Sequence, residues 1–214
     1  MSPKPENTFR IIGIDIGWSN LALVVVDVDL DSYDNRSAAD SKYTFNLVFA
    51  NMTDLRNIKC SNPKECMFET CDRKGGHLVH HYVENMEEWF STADKIVIES
   101  QPIMSTHKDV EQLLLVYIKQ RYSNGKKRHV RLIAPQSMHA HFKMSNEKVE
   151  RRIQVVEITQ RYLEDFKAFK LAKFKDHLGD SLAFVLYYIN VQLEDYIRNQ
   201  KPNPFEKFKF KNKD

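Results

Sequence analysis

Two apolar runs near the start of the chain constrain its fold more than any other feature. FRIIGIDIG covers residues 9–17, NLALVVVDVD covers residues 20–29, and a link as short as WSN joins them. Runs this rich in Ile and Val, so closely connected, are typical of two antiparallel strands in a β-hairpin. The N-terminal part of the chain is therefore predicted to be a sheet.

The rest of the chain continues the sheet and adds helices. Alternating apolar residues in YTFNLVFANM predict a third strand at 43–52. Short apolar runs predict two further strands, at 95–100 and 129–135. Helical spacing of apolar residues predicts four helices, at 77–93, 108–122, 145–166 (with Ser145 as its N-cap) and from 173 to about 199.

This order of elements indicates the fold class. An antiparallel meander followed by alternating helices and strands predicts an α/β protein, with a mixed five-stranded sheet and helices on both faces. Because no internal repeat or linker interrupts the pattern, we expect one domain over residues 1–199. Within it, a Cys-rich insertion is expected at about 53–81, and residues 200–214 form a basic tail that is predicted to be flexible.

The distribution of charge indicates a polyanionic partner. The net charge is only +3, but the segment 119–175 holds fifteen Lys and Arg residues against five Asp and Glu residues. Solvated helix faces are one explanation, and a nucleic-acid partner is favoured over it. No apolar run is long enough to span a bilayer, and the N-terminus MSPKPENTFR lacks a signal peptide, so we expect an intracellular, reducing compartment and no membrane partner.

Three acidic residues occupy unusual positions. Asp15 lies within the first apolar strand, Glu99 closes the apolar strand KIVIES, and Asp180 begins the apolar part of the last helix. Each could be a turn, cap or solvent-facing residue, but an acid among apolar neighbours is costly unless it is paired or binds a cation. Oxygen ligands without thiols favour Mg²⁺ or Mn²⁺, and two such ions can bind the attacking and leaving oxygens of a phosphodiester. The three acids together therefore predict a two-metal nuclease site.

The last helix adds two more ionisable groups to this site. In KFKDHLGDSLAFVLYY, Asp176 and His177 lie one helical turn before Asp180 and can share its face. The spacing leaves open which of the two joins Asp180 on a metal.

Three segments taken together resemble the RuvC-type Holliday-junction resolvases, and most of all their poxvirus and mitochondrial branch. The segments are IIGIDIGWSNLALVVVD, KIVIESQP and KFKDHLGDSLAFVLYY, and the resemblance extends from residue 9 to about residue 190. It implies an RNase H-like fold and an endonuclease that resolves four-way DNA junctions as a homodimer, with Mg²⁺ or Mn²⁺. The expected location is then a viral factory or the cytoplasm for a viral protein, and the nucleus or a mitochondrion otherwise.

The resemblance also implies roles for individual residues. Asp15 matches the metal-binding acid of the first strand, Glu99 the acid of the fourth strand, and Asp180 the last acid of the C-terminal helix. Viral relatives tend to have two adjacent acids shortly before that last one, where this chain has Asp176 and His177. Bacterial members often carry Asp at the position of His177, so the resemblance slightly favours His177 as the fourth ligand.

A catalytic lysine is a further feature of this family. The stretch IAPQSMHAHFKMSNEKVERR resembles the region that supplies a lysine near the scissile phosphate. Lys143 and Lys148 are the candidates, and Lys148 is assigned to the predicted site.

All three cysteines lie in one short stretch of the predicted insertion. Cys60, Cys66 and Cys71 precede His77, His80 and His81, with five and then four residues between successive cysteines. Three thiols and one imidazole suit tetrahedral Zn²⁺, whereas a disulfide would leave one thiol over. We therefore predict a structural zinc held by Cys60, Cys66, Cys71 and His77, with unligated thiols as the alternative.

Other functions are compatible with parts of this pattern. The same fold could serve a nuclease for RNA–DNA hybrids or a catalytically silent junction-binding protein. A fragment of the actin and sugar-kinase group would need a second fold repeat and phosphate-binding loops, which this chain with its six glycines does not supply.

Overall fold

The computed structural model describes residues 4–32, 43–60, 66, 75–122, 129–173 and 175–195. The predicted tail at 200–214 and the predicted zinc ligand Cys71 lie outside these residues.

Five strands form one mixed sheet in the order β3-β2-β1-β4-β5. In chain order they are β1 (Thr8–Asp15), β2 (Leu21–Asp29), β3 (Phe45–Thr53), β4 (Lys95–Glu99) and β5 (Val130–Ile133). The first three strands pair antiparallel, while β4 pairs parallel to β1 and β5 parallel to β4. The hairpin and the mixed five-stranded sheet predicted from the sequence are therefore confirmed.

Seven α-helices lie within the described part of the chain. They are α1 (Gly75–Asn85), α2 (Glu87–Thr92), α3 (Lys108–Tyr122), α4 (Pro135–His141), α5 (Lys148–Leu163), α6 (Lys167–Leu171) and α7 (Lys175–Val191), and a short 3-10 helix spans Leu55–Asn57. Among them, none combines the length and the apolar character that a bilayer span requires.

The helices differ from the sequence predictions in five places. The predicted helix at 77–93 is two helices, because Met86 leaves the helical conformation with φ −105° and ψ 14°. The predicted N-cap Ser145 is wrong: α5 begins three residues later with Glu147 as its N-cap, and the Ser145 hydroxyl accepts the Glu147 N–H at 3.1 Å. The short helices α4 and α6 were not predicted, and α7 ends at Val191, earlier than expected.

Helices cover both faces of the sheet, as predicted. Alternation along β1 directs Ile12 and Ile14 into a core under α1, α2 and α3, and directs Ile11 into a second core under α5, α6 and α7. The apolar face of α1 is thus part of the core. On the other side, α7 crosses β1 so closely that a Cβ added at Gly13 would lie 2.3 Å from the Ser181 carbonyl oxygen. This contact fixes α7 relative to the ends of the central strands.

A buried ion pair joins β1 to β2 under α2. The Arg10 guanidinium donates two hydrogen bonds of 2.7 Å to the Asp27 carboxylate, and both side chains are almost completely buried. The Trp89 ring lies beneath the guanidinium, with its centroid 5.6 Å from Cζ. Because both charges are satisfied by each other, the pair is compatible with the apolar core.

Candidate active site

Two acidic side chains meet where the central strands end. Asp15 is the last residue of β1 and Glu99 the last of β4, and these strands are parallel neighbours with Ile14 opposite Ile98. Both acids therefore face the α7 side of the sheet, whereas Ile14 and Ile98 face the α1 side. The carboxyl ends of parallel strands are the usual position for sites in open α/β sheets.

The N-terminal half of α7 adds Asp180 to these two acids. The Ser181 hydroxyl accepts a hydrogen bond from the Asp15 N–H at 3.2 Å and donates one to the Ala22 carbonyl oxygen at 3.1 Å, which docks α7 on the end of β1. On the opposite side of the helix, Gly179 allows α7 to pack closely against Thr159 of α5. This packing directs Asp180 into the same cavity as the strand acids.

The cavity has a volume of about 570 Å³ and two walls of opposite charge. The sheet and α7 form the acidic wall. Its ionisable residues are Asp15, Glu99, Asp176, His177 and Asp180. Helix α5 contributes Lys148, Arg151 and Arg152 to the facing wall. Of the two lysines predicted for the site, Lys148 lines the cavity, while Lys143 is not among its lining residues.

Burial gives the three central acids unusual proton affinities. Desolvation, followed by the charge of Asp15, raises the pKa of Glu99 to about 9. The pKa of Asp15 is also raised, mainly by desolvation and then by the charges of Asp180 and Asp176. Desolvation and the charge of Glu99 raise the pKa of Asp180. Mutually repelling carboxylates of this kind are ionised at neutral pH when a cation lies between them, so the donor set fits a hard divalent metal.

The structure separates the roles of Asp176 and His177. His177 Nδ1 lies 2.6 Å from Asp15 Oδ2, and its Nε2 lies 3.5 Å from the Asn20 amide nitrogen. Asp176 instead forms an ion pair of 3.0 Å with Arg152 on α5. His177 is therefore the side chain in direct contact with the acid cluster.

Several site residues were not predicted from the sequence. Gln101 donates its side-chain amide to Glu99 Oε2 and its backbone N–H to Glu111, which is buried and paired with Lys108 at 2.6 Å. These contacts fix the position of the Glu99 carboxylate. The only sequence signal was Gln101, the polar residue directly after KIVIES. Glu111 gave none, because the pattern of its helix shows no sign of a buried acid.

A second cluster of potential metal ligands lies outside this cavity. The ligand atoms of Cys60, Cys66 and His81 lie within 4.8 Å of one another. The structure thus brings His81, and not the predicted His77, to the two thiols. The third predicted thiol, Cys71, lies outside the described residues.

Solved structures share this fold, although no protein-family model and no curated protein sequence matches the chain. The yeast mitochondrial Holliday junction resolvase has a TM-score of 0.57 at 17% identity, covering 92% of this chain and 86% of that one. The fowlpox virus resolvase, solved with its substrate Holliday junction DNA, has a TM-score of 0.53 at 16% identity and covers 85% of this chain and 97% of its own. The RuvC of Thermus thermophilus has a TM-score of 0.51 at 18% identity, with coverages of 89% and 96%. The predicted RNase H-like fold of the RuvC-type resolvases is therefore confirmed.

Proposed function

We propose that this chain is a metal-dependent endonuclease that resolves four-way DNA junctions. The observation that carries the proposal is the convergence of Asp15, Glu99 and Asp180, from two strands and a helix, in one cavity whose opposite wall is basic. The buried acids provide a divalent-metal site, and the basic wall suits the phosphates of a nucleic acid. The shared fold with junction resolvases supports the choice of substrate.

The ligands for Mg²⁺ or Mn²⁺ are Asp15, Glu99 and Asp180, with His177 as the fourth. Two such ions would supply an ionised water as the nucleophile and charge stabilisation at the leaving 3′ oxygen. Asp15 is the central ligand, because Glu99 and His177 both contact it. Gln101 and Ser181 hold the first two acids in position.

The basic wall would position the scissile strand. Lys148 lies at the N-terminus of α5, and Arg151 follows one turn later, so both can contact neighbouring phosphates of one strand. Phosphate contacts of this kind release counterions. Replacing Arg151 with Ala should therefore weaken junction binding and reduce the slope of log affinity against log salt by roughly 0.9.

A dimer is the form that we propose for junction resolution. A four-way junction is resolved by two symmetric cuts, and the described part of the chain contains one such acidic cavity. Two copies related by a two-fold axis would supply both cuts. A compartment that contains recombining DNA, whether viral factory, nucleus or mitochondrion, is the corresponding location.

Cleavage of a panel of substrates by the purified protein tests this function. The panel contains a synthetic four-way junction, a linear DNA duplex of the same arm sequence and an RNA–DNA hybrid, each incubated with Mg²⁺, with Mn²⁺ or with a chelator. We expect paired nicks in opposing strands of the junction with ends that ligase can seal, and little cutting of the linear duplex. Preferential cutting of the hybrid would favour an RNase H-type function, and tight junction binding without cutting in either metal would favour a silent binding protein.

A further inference from the structure

We propose that Cys60, Cys66 and His81 form a structural zinc site that is separate from the nuclease cavity. Cys60 and Cys66 belong to the connection between β3 and α1, and His81 lies on the buried face of α1. The cavity between the sheet and α5 contains none of these three residues. The site therefore has no part in the proposed hydrolysis.

The separations between the ligand atoms match those around zinc. Bond lengths of about 2.3 Å to sulfur and about 2.0–2.1 Å to nitrogen, at a tetrahedral angle, put the two ligand atoms about 3.6 Å apart. The observed separation between Cys66 Sγ and His81 Nε2 is 3.6 Å. Cys60 Sγ belongs to the same cluster, in which every ligand atom lies within 4.8 Å of the others. A further protein ligand or a water would complete the tetrahedron.

The surroundings of His81 select the nitrogen that zinc requires. Its Nδ1 lies 3.1 Å from Glu84 Oε2, so Nδ1 carries the proton and donates a hydrogen bond to this carboxylate. The lone pair of the ring is then on Nε2, the nitrogen that faces the thiols and would bind zinc. Arg121 from α3 donates to the other oxygen of Glu84 at 3.2 Å, which holds that carboxylate ionised. A carboxylate behind a histidine ligand is the usual outer contact of zinc sites. His81 is only 2% exposed, so the orientation of its ring is fixed by packing.

A second set of ligands in the same region is a poorer fit. His80, His81 and Glu84 also have ligand atoms within 4.8 Å of one another. Glu84 already receives the Arg121 guanidinium, however, and a dication bound to Glu84 would be repelled by that charge. The thiol-containing set avoids this repulsion and supplies the softer ligands that Zn²⁺ prefers.

The consequence of zinc binding would be a crosslink between the β3–α1 connection and the α1–α3 layer. Helix α1 packs on the core that covers one face of the sheet. The folded chain holds Cys60, Cys66 and His81 together and the unfolded chain does not, so zinc binding stabilises the folded state. Zinc removal should therefore lower the melting temperature without changing the ligands of the nuclease site.

Zinc content of the full-length protein, purified without chelators, tests the site. Inductively coupled plasma mass spectrometry should give about one equivalent per chain, with large losses in Cys60→Ser, Cys66→Ser and His81→Asn. His80→Asn and His77→Asn are matched controls that should retain zinc. Less than about half an equivalent in the wild type, or a loss in either control as large as that in His81→Asn, would overturn the assignment.

Thiol reactivity of the wild-type protein provides a measurement that does not depend on variants folding. Thiols that bind zinc react slowly with a disulfide reagent until a strong chelator is added, because the metal occupies their lone pairs. We expect at least two thiols to become reactive together with the release of zinc. Equal reactivity before and after chelation would contradict the proposal. Because Asp15→Asn should retain zinc, this outcome is independent of whether the protein cleaves DNA.

Discussion

The substitution Gly13→Ala tests whether α7 packs directly on β1, as the geometry of the active site requires. A Cβ at this position would be 2.3 Å from the Ser181 carbonyl oxygen and 2.6 Å from a Val185 methyl group, whereas ordinary contact begins at 3.4 Å. In Gly13→Ala, α7 must move by about 1 Å. Overpacking of this kind costs about 1–3 kcal/mol, and the upper end applies because the closest atom belongs to the backbone. For a chain of this length we expect a fall in melting temperature of about 6–12 °C.

The same displacement of α7 should lower the rate of junction cleavage even at temperatures at which the variant is fully folded. Asp180 moves with α7, away from Asp15 and Glu99, and a misplacement of about 1 Å in a catalytic site can cost about 100-fold in rate. Thermal unfolding and junction cleavage below the melting temperature measure the two effects separately. The control is Gly17→Ala, whose Cβ would meet the Asn20 carbonyl oxygen at an ordinary 3.4 Å and should change stability by less than about 1 kcal/mol. Wild-type stability and cleavage in Gly13→Ala would refute the close packing.

Three further predictions follow from charges in the structure. Metal-free protein should lose stability as pH rises from about 4.5 to about 9, because folded Glu99 keeps a proton that the unfolded chain releases. Mg²⁺ should therefore raise the melting temperature more at about pH 8 than at about pH 6. Arg10→Met should lower the free energy of unfolding in urea by about 3–5 kcal/mol, since it leaves Asp27 buried and unpaired, and the additional change Asp27→Leu should restore most of it. His177→Ala should slow junction cleavage by about 10- to 100-fold, and Asp176→Asn, which removes a contact to α5, much less.

The sheet could be predicted from the sequence because its strands are long and almost entirely apolar. Nearly every residue of β1 and β2 is buried, so each strand appears in the sequence as a continuous apolar run that predicts a strand. The short helices α4 and α6 could not be predicted, because five to seven residues are too few to display a helical period. The break at Met86 was missed for a different reason, since the apolar spacing continues across it.

The sequence was sufficient to predict which acidic residues belong to the candidate site, but not which side chains contact one another there. An acid within an apolar strand is visible in a sequence, and the structure brings Asp15, Glu99 and Asp180 together in one cavity. The choice between His177 and Asp176 depends on how α7 is rotated about its axis, which is set by Gly13 and Gly179 through tertiary packing. The assignment of ligands thus remains a prediction for experiment.

The zinc prediction illustrates the same limit. Clustered cysteines indicated a metal, but their spacing could not identify the histidine, and the prediction of His77 was wrong. The structure brings His81 to the thiols because it lies on the buried face of α1, with Glu84 one turn later to hold its other nitrogen.

The central claim is that Asp15 belongs to the metal-dependent site that cuts DNA, and its replacement tests that claim most directly. Cleavage rate and binding affinity of Asp15→Asn should be measured beside the wild type, on the same four-way junction in Mg²⁺. We predict that cutting falls by at least about 100-fold while the dissociation constant, measured in Ca²⁺, stays nearly unchanged, because Asn is the same size but does not replace the charge. Cleavage by Asp15→Asn at the wild-type rate would contradict the account.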